Sequence, residues 1–516
     1  MPMWSRFTLR PALALTAFVL LTRLPALLHP KAIDDEQVYS VVAIEMLHGG
    51  QPYVDAVERK PPFLFEVYRG VFAVAGPYNW VALHLVSVLW TLATMATLYL
   101  IARRLFDPAT GAWAALLYGL FLAWADYRCL AFNGELLMNL PAAMATAIVF
   151  GGARGRWRPG LLLAGGLVAT GFLLKQPSGI VGLPLGIYLL LPSYRARRGL
   201  SVPVSLLQAT LFTLGFLAVL GAVGFWLWRG GILGDAVYWS VTSQGGAFGP
   251  FTWAYWDRAL SNTAFFAVAT LPLLIGAVLS LREGHQADGL WTGHRAEFVA
   301  LVVLLAASLV GVGVNGQFLF HYYLQLVLPL ALLAAPVFSA AWRDAAPRFG
   351  PLGHRRLVAG WLALSSVTFL AVDTIGLWRN REPLAAGRYV REHSQPEDRI
   401  FMWGQGDRLT GIYLDAERRP ASRYIASFPL TGHVFGAPVD PAFDTSNRVA
   451  PRAWEHLRAD FNRHPPRYII DTDAVRERPD YPISRYPFLR DYLQMHYREV
   501  ARFPDGVVYE RLPDPN

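Results

Sequence analysis

"AIDDEQVYSVVAIEMLHGGQPYVDAVERKPPF", residues 32–63, sets three successive carboxylates, Asp34, Asp35 and Glu36, directly after the first apolar segment and closes on the cations Arg59 and Lys60. Within it Tyr39, Val42, Ala43, Met46 and Leu47 recur at helical spacing, and Gly49 and Gly50 end the pattern. A stretch this short does not cross a bilayer. Its single apolar stripe predicts an amphipathic helix lying in the membrane interface. The acidic start fits a capping box, with Asp34 as N-cap and Gln37 three residues on, and negative charge suits a helix N-terminus. A cap uses one carboxylate of the three, which leaves acids for chemistry. Pro61 and Pro62 oppose helix directly after Lys60. They hold two cations at headgroup level, where a phosphate would suit them.

The surrounding chain supplies the setting. It has 516 residues, 54% hydrophobic and only 16% charged, against about 25% charge in an ordinary soluble domain, and its mean hydropathy is +0.32. Apolar runs approach the roughly 20 residues that a helix needs to span hydrocarbon, and they lack the alternation of barrel strands. The fold class is therefore an α-helical polytopic membrane protein. Apolar segments near 7–28, 80–101, 111–127, 136–151, 160–175, 179–191, 204–228, 262–281, 298–314, 318–341 and 358–378 predict about eleven transmembrane helices. The first reads as a retained anchor, since no small-residue cleavage site precedes the acidic cluster. Cys129, the single cysteine, excludes an internal disulfide framework and a cysteine metal cluster.

Charge sorts the loops. Arg103 and Arg104, then Arg154, Arg156 and Arg158, then Arg195, Arg197 and Arg198, then Arg282 and Arg295, then Arg343, Arg348, Arg355 and Arg356 fall in alternate loops, which the positive-inside bias puts in the cytoplasm. The net charge of +9 thus orients the chain and does not point to nucleic acid. The complementary face carries outer loops 30–79 and 229–261 and most of the acids, so chemistry is expected there, with the N-terminus cytoplasmic. Residues 1–378 form the expected transmembrane domain. Residues 379–516 are denser in charge and proline and read as an extracytoplasmic soluble α/β domain, with strands in "DRIFMWG", "RYIIDT" and "GVVYERL" and helices in "PLAAGRYVREH", "AWEHLRADFNRH" and "FLRDYLQMHYREV".

Other polar residues stand at the outer edge. Arg128, Asn133 and Glu135 fall between two apolar segments, Glu135 either as a first-turn acid or as part of a polar site. Lys175 interrupts two short segments and is read as a second phosphate-facing cation, with snorkelling as the plainer account. His321 and Tyr322 begin another span. An interfacial aromatic belt accounts for the tyrosine but does not require the histidine. The loop "WSVTSQGGAFGPFTWAYW" has the composition of a cover over a sugar- or lipid-sized site. No zincin spacing, G-x-S-x-G or P-loop occurs, and "WGQGDR" lacks the third glycine of a dinucleotide loop.

The sequence Asp35-Glu36-Gln37-Val38-Tyr39 after the first helix, followed by "GGQPYVD" and "KPP", resembles the GT-C superfamily of membrane glycosyltransferases. It is most similar to bacterial relatives of the dolichyl-phosphate-mannose protein mannosyltransferases and of the lipid A aminoarabinose transferase. "RCLAFNGE", "LLKQPS" and "HYYLQLVLPLALLA" echo the same pattern. The resemblance implies a GT-C-like fold, a polyprenyl-phosphate-linked sugar as donor, and transfer to an extracytoplasmic lipid, glycan or protein acceptor. It implies Asp35 as the catalytic aspartate, with Asp34 and Glu36 beside it. Lys60 would lie near the donor phosphate with Arg59 and Lys175, and Tyr39, Arg128, Glu135, His321 and Tyr322 would line the substrate pocket. Some relatives carry an acid before the lysine together with a divalent metal. In this chain Arg59 stands there and Glu58 one place earlier, a departure from that metal-binding pattern; a divalent metal is the one cofactor that the resemblance would bring. A carboxylate base and direct displacement of a phosphate leaving group predict inversion at the sugar. A transporter or lipid-linked sugar flippase is the alternative that the many spans allow.

Overall fold

The computed structural model of the chain describes residues 9–124, 126–151, 158–243, 253–284, 289–314, 316–343, 350–433, 445–477 and 479–513. Arg154, Arg156, Arg348 and the 244–252 part of the aromatic loop lie outside the described residues. The chain divides into two compact units, one of residues 1–30, 81–226 and 257–379, the other of residues 31–80, 227–256 and 380–516. The acidic first loop therefore groups with the tail and not with the helices that flank it in sequence.

The first unit is helical. Each of the eleven apolar segments contains a helix. Among the described residues, five helices are long and apolar enough to cross a membrane: Trp80–Leu105, Val202–Arg229, Arg295–Gly313, Phe320–Arg343 and Arg355–Arg379. Counting each bent pair as one span raises the number to seven, with bends of 54° between Gln176–Leu190 and Pro192–Arg198 and 83° between Tyr255–Ala269 and Leu271–Gly284. Shorter apolar helices occupy Leu13–Leu28, Gly134–Phe150 and Gly160–Leu174. The chain is a membrane protein, with fewer full-length spans than apolar segments among the described residues.

Small residues set the closest approach in this unit. A Cβ on Gly165 would run into the Phe212 carbonyl, and one on Gly215 into the Leu162 carbonyl. Helices Gly160–Leu174 and Val202–Arg229 thus meet backbone to backbone, as expected in lipid, where packing takes the place of hydrophobic drive. Leu324–Arg343 forms the buried centre. It packs on Leu271–Gly284 and Pro108–Phe121, and fifteen of its twenty residues are buried.

The second unit carries a mixed five-stranded sheet: β1 (Arg399–Trp403), β2 (Arg419–Pro420), β3 (Tyr468–Asp471), β4 (Tyr497–Phe503) and β5 (Gly506–Arg511), in the order β2-β1-β3-β5-β4. β1 runs parallel to β2 and β3, whereas β5 is antiparallel to β3 and β4. The three strands read from the sequence are β1, β3 and β5. "FLRDYLQMHYREV" is helical only to His496, because from Tyr497 the backbone pairs with β5 and forms an edge strand. Its side chains are mostly solvent-facing, which gives period-3.6 counting little to distinguish.

The first loop also departs from its reading. Asp34–Leu47 is a helix, but its N-cap is Ile33 with no side-chain cap bond, so Asp34 is its first residue and not its cap. The other end agrees, with Gly49 at φ +85°, a backbone state that suits glycine. The amphipathic expectation fails: every residue from Glu36 to Glu45 is buried. The helix packs on Pro62–Ala75 and on residues 407–416, so its polar face meets protein. Helix Pro62–Ala75 begins directly at the proline pair, with Pro61 as N-cap and Pro62 in the first turn. Proline lacks a donor that the first turn would leave unused, so it starts a helix it would break further in.

Candidate functional site

Helix Asp34–Leu47 presents Asp34, Asp35 and Glu36 in one turn, where the exposed amides and the helix dipole stabilise negative charge. Asp34 and Asp35 are half-buried, while Glu36 is 1% exposed. Tyr68, from helix Pro62–Ala75, faces this acidic turn. Its phenol is held well above its ordinary pKa by burial, then by the charges of Glu36 and Asp35. The Tyr68 ring meets Tyr39 edge to face at 5.7 Å, and the Lys60 ammonium lies 5.8 Å from the centre of the Tyr39 ring. The folded loop thus links its acidic start to its cationic end through two tyrosines. Tyr39 and Lys60 were legible in the sequence; Tyr68 was not, because it lies in the outer loop beyond the stretch that carries the acidic cluster and the cations Arg59 and Lys60.

The cations have separate neighbours. Lys60 lies 3.9 Å from the buried Glu58 carboxylate, and its carbonyl accepts from the Tyr53 hydroxyl at 2.8 Å. Tyr53 has φ +69° and turns the chain back so that its amide donates to Ala56. Arg59 stacks over Phe428 at 4.6 Å. Nearby His433 has its pKa pushed down to about 4, by burial first and then by the charges of Arg59 and Arg476. Glu45, at the far end of the same helix, receives both Arg419 donors at 2.7 Å and braces the helix against β2.

The helical unit gathers the other expected residues. Lys175 Nζ lies 2.7 Å from Glu135 Oε1, and His321 Nε2 lies 3.7 Å from the same oxygen. The lysine also sits 4.8 Å over the Tyr322 ring, and His321 meets that ring edge to face at 4.8 Å. Glu135, Lys175, His321 and Tyr322 are all buried. Asn133 caps the short helix beginning at Gly134 by accepting from the Leu136 amide, which aims Glu135 inward. A Cβ on Gly134 would press on the Leu174 carbonyl and on Lys175, so glycine permits the lysine's approach. Arg128 stands apart from this cluster, 3.4 Å from Asp126 and partly exposed.

Among the described residues no group of three or more His, Cys, Asp or Glu side chains is placed to hold a metal ion.

A family model described as dolichyl-phosphate-mannose-protein mannosyltransferase matches residues 59–222. That span begins at Arg59 and contains Lys60, Glu135 and Lys175. No curated protein sequence matches the chain. Among solved structures, the chain is similar to ArnT from Cupriavidus metallidurans bound to undecaprenyl phosphate, with 15% identity, a TM-score of 0.58 and coverage of 97% of this chain and 98% of that one. The apo form of the same protein gives 16% identity, a TM-score of 0.55 and coverage of 96% and 98%. The archaeal oligosaccharyltransferase AglB from Archaeoglobus fulgidus, in complex with an inhibitory peptide and a dolichol-phosphate, gives 12% identity, a TM-score of 0.52 and coverage of 90% and 69%. The likeness expected from the first loop is therefore found in both sequence pattern and fold.

Proposed function

We propose that this chain, built on the fold of GT-C membrane glycosyltransferases, is an inverting glycosyltransferase that moves a sugar from a polyprenyl-phosphate donor to an extracytoplasmic acceptor. The observation that carries the reading is the loop 32–63, where Asp35 stands at a helix N-terminus and Lys60 returns over Tyr39. The fold shared with a protein bound to undecaprenyl phosphate and another in complex with a dolichol-phosphate supports a lipid-phosphate donor.

In this mechanism the Asp35 carboxylate accepts the proton of an acceptor hydroxyl as its oxygen attacks the anomeric carbon. The bond from that carbon to the phosphate oxygen breaks, and its electron pair leaves with the phosphate. Phosphate is already a good leaving group, so cations serve the leaving side better than a second acid. Arg59 and Lys60 stabilise its growing charge. One displacement inverts the sugar carbon. Glu36 is too buried to meet an acceptor and holds the turn's charge; Asp34 flanks the base. In the helical unit Lys175 is the cation assigned to phosphate, with Glu135 setting its position, while His321, Tyr322 and Arg128 are assigned to substrate lining. About eleven spans, a cytoplasmic N-terminus and an extracytoplasmic tail complete the reading, in which the acidic loop faces out.

The deciding experiment is Asp35→Asn in membranes supplied with a polyprenyl-phosphate sugar. Transfer that persists undiminished with normal insertion removes Asp35 as the base. Accumulation of a lipid-linked sugar in membranes lacking the protein would identify the donor by mass.

A further inference from the structure

A polar cavity of about 200 Å³ lies within the unit that carries the sheet. Its walls come from the end of helix Asp34–Leu47, the following turn, β1, β2 and the end of helix Ala453–Arg463. Four arginines line it, Arg399, Arg419, Arg423 and Arg463, with His48 and His464, against the carboxylates Glu45, Asp55 and Asp460. Four cations against three anions leave an excess positive charge even with both imidazoles neutral.

The carboxylates are already engaged. Glu45 takes both donors of Arg419 at 2.7 Å. Asp460 holds Arg423 through contacts at 2.9 and 3.0 Å and also accepts from the Arg423 amide and the Ser422 hydroxyl. Asp55 accepts from the Gln51 amide at 2.8 Å. Arg399 is 3.9 Å from Glu45, beyond hydrogen-bond reach, and donates to the Pro420 carbonyl. Arg463 has no carboxylate partner among the described residues. Crowding of like charge is visible in the neighbours. The Arg399 guanidinium is depressed by burial first, with the Glu45 charge opposing, then by Arg419, with Asp55 opposing. His464 is pushed down by burial, then by Arg399, Arg463 and Arg419, with Asp460 opposing. Two guanidiniums held by bidentate carboxylates thus frame two that donate no hydrogen bond to a carboxylate, Arg399 standing 3.9 Å from Glu45, and a planar fork of donors is suited to a tetrahedral oxyanion.

We propose that this cavity binds the phosphate monoester group of an anionic ligand, with Arg399 and Arg463 supplying the donors. A phosphate group meets that excess positive charge through charge-assisted hydrogen bonds, which a sugar hydroxyl alone would not. The shared chemistry is the phosphate monoester, carried either by a soluble phosphosugar or by a lipid headgroup.

The test uses the full-length protein in phosphatidylcholine nanodiscs, with inorganic phosphate as the probe and calorimetric titration as the readout. Saturable binding that weakens at least about tenfold in Arg399→Gln/Arg463→Gln, the loss of charge-assisted hydrogen bonds, supports the site. Arg463→Gln alone guards against misfolding: that side chain is exposed, so the variant should keep the wild-type melting profile while phosphate binding falls. Repetition in discs containing phosphatidic acid distinguishes the sources, since competition points to a headgroup and its absence to a soluble ester. No saturable phosphate binding by the wild type, or equal affinity in the folded variants, overturns the proposal. The measurement needs no glycosyl donor, so its failure leaves the transferase reading untouched.

Discussion

Lys175 and Glu135 form a 2.7 Å ion pair in which both side chains are buried. Such a pair contributes little against an apolar replacement, yet its rupture strands a charge. Glu135→Gln should therefore destabilise the helical unit by about 3–5 kcal/mol. The double variant Glu135→Leu/Lys175→Met should recover much of that loss. Thermal unfolding in detergent measures both, and an equal loss in the double variant would contradict this account.

Asp35→Asn keeps shape and removes the base. Its transfer rate should fall about 10²–10⁴-fold, while expression and melting temperature stay near the parent's because Asp35 is only half-buried. Single-turnover assays separate this chemical loss from donor binding.

Lys60→Gln should lower kcat about 10²–10³-fold, the scale for losing one stabiliser of developing charge. A ground-state phosphate contact would raise KM instead. The split between the two parameters in a steady-state assay decides which role Lys60 has.

Asp471, on β3, offers a pH test of the sheet. Burial pushes its carboxyl up to about 7, although the amides of Asp473 and Ala474 donate to it and oppose the shift. An unfolded aspartate titrates near about 3.9. The folded chain therefore binds the proton more tightly, and stability is greatest below the unfolded value and declines as pH rises from about 4 to about 7. Asp471→Asn should stabilise the protein on the order of 2 kcal/mol at pH about 8 and make little difference at pH about 4. Urea midpoints at both pH values check the sign.

Gly165→Leu should prevent helices Gly160–Leu174 and Val202–Arg229 from meeting, since even a Cβ there collides with the Phe212 carbonyl. Overpacking of this kind costs at least about 1–3 kcal/mol. Poor recovery of folded protein by size-exclusion chromatography is the expected result.

Apolar run length located the helices well, because burying a hydrogen-bonded backbone in lipid leaves few alternatives. It could not tell a full span from a short helix such as Gly160–Leu174, nor anticipate the 83° break at Thr270. Periodicity found Asp34–Leu47 but misjudged its polar side, because the partners that bury Glu45 come from β1 and β2, far along the chain. The same separation hid the arginine cavity. Lys175, Glu135, His321 and Tyr322 were each singled out by a polar residue in an apolar setting, whereas their mutual contact was not written in any local spacing.

The bond between Glu45 and Arg419 spans 374 positions. At about 5–20 residues per second, ribosomes need roughly 20–75 s to make that interval. The helix that begins with Asp35 is thus synthesised early and braced late. A truncated product lacking β2 would carry the acidic turn without its brace, so the order of synthesis itself keeps an unfinished chain from presenting a finished loop.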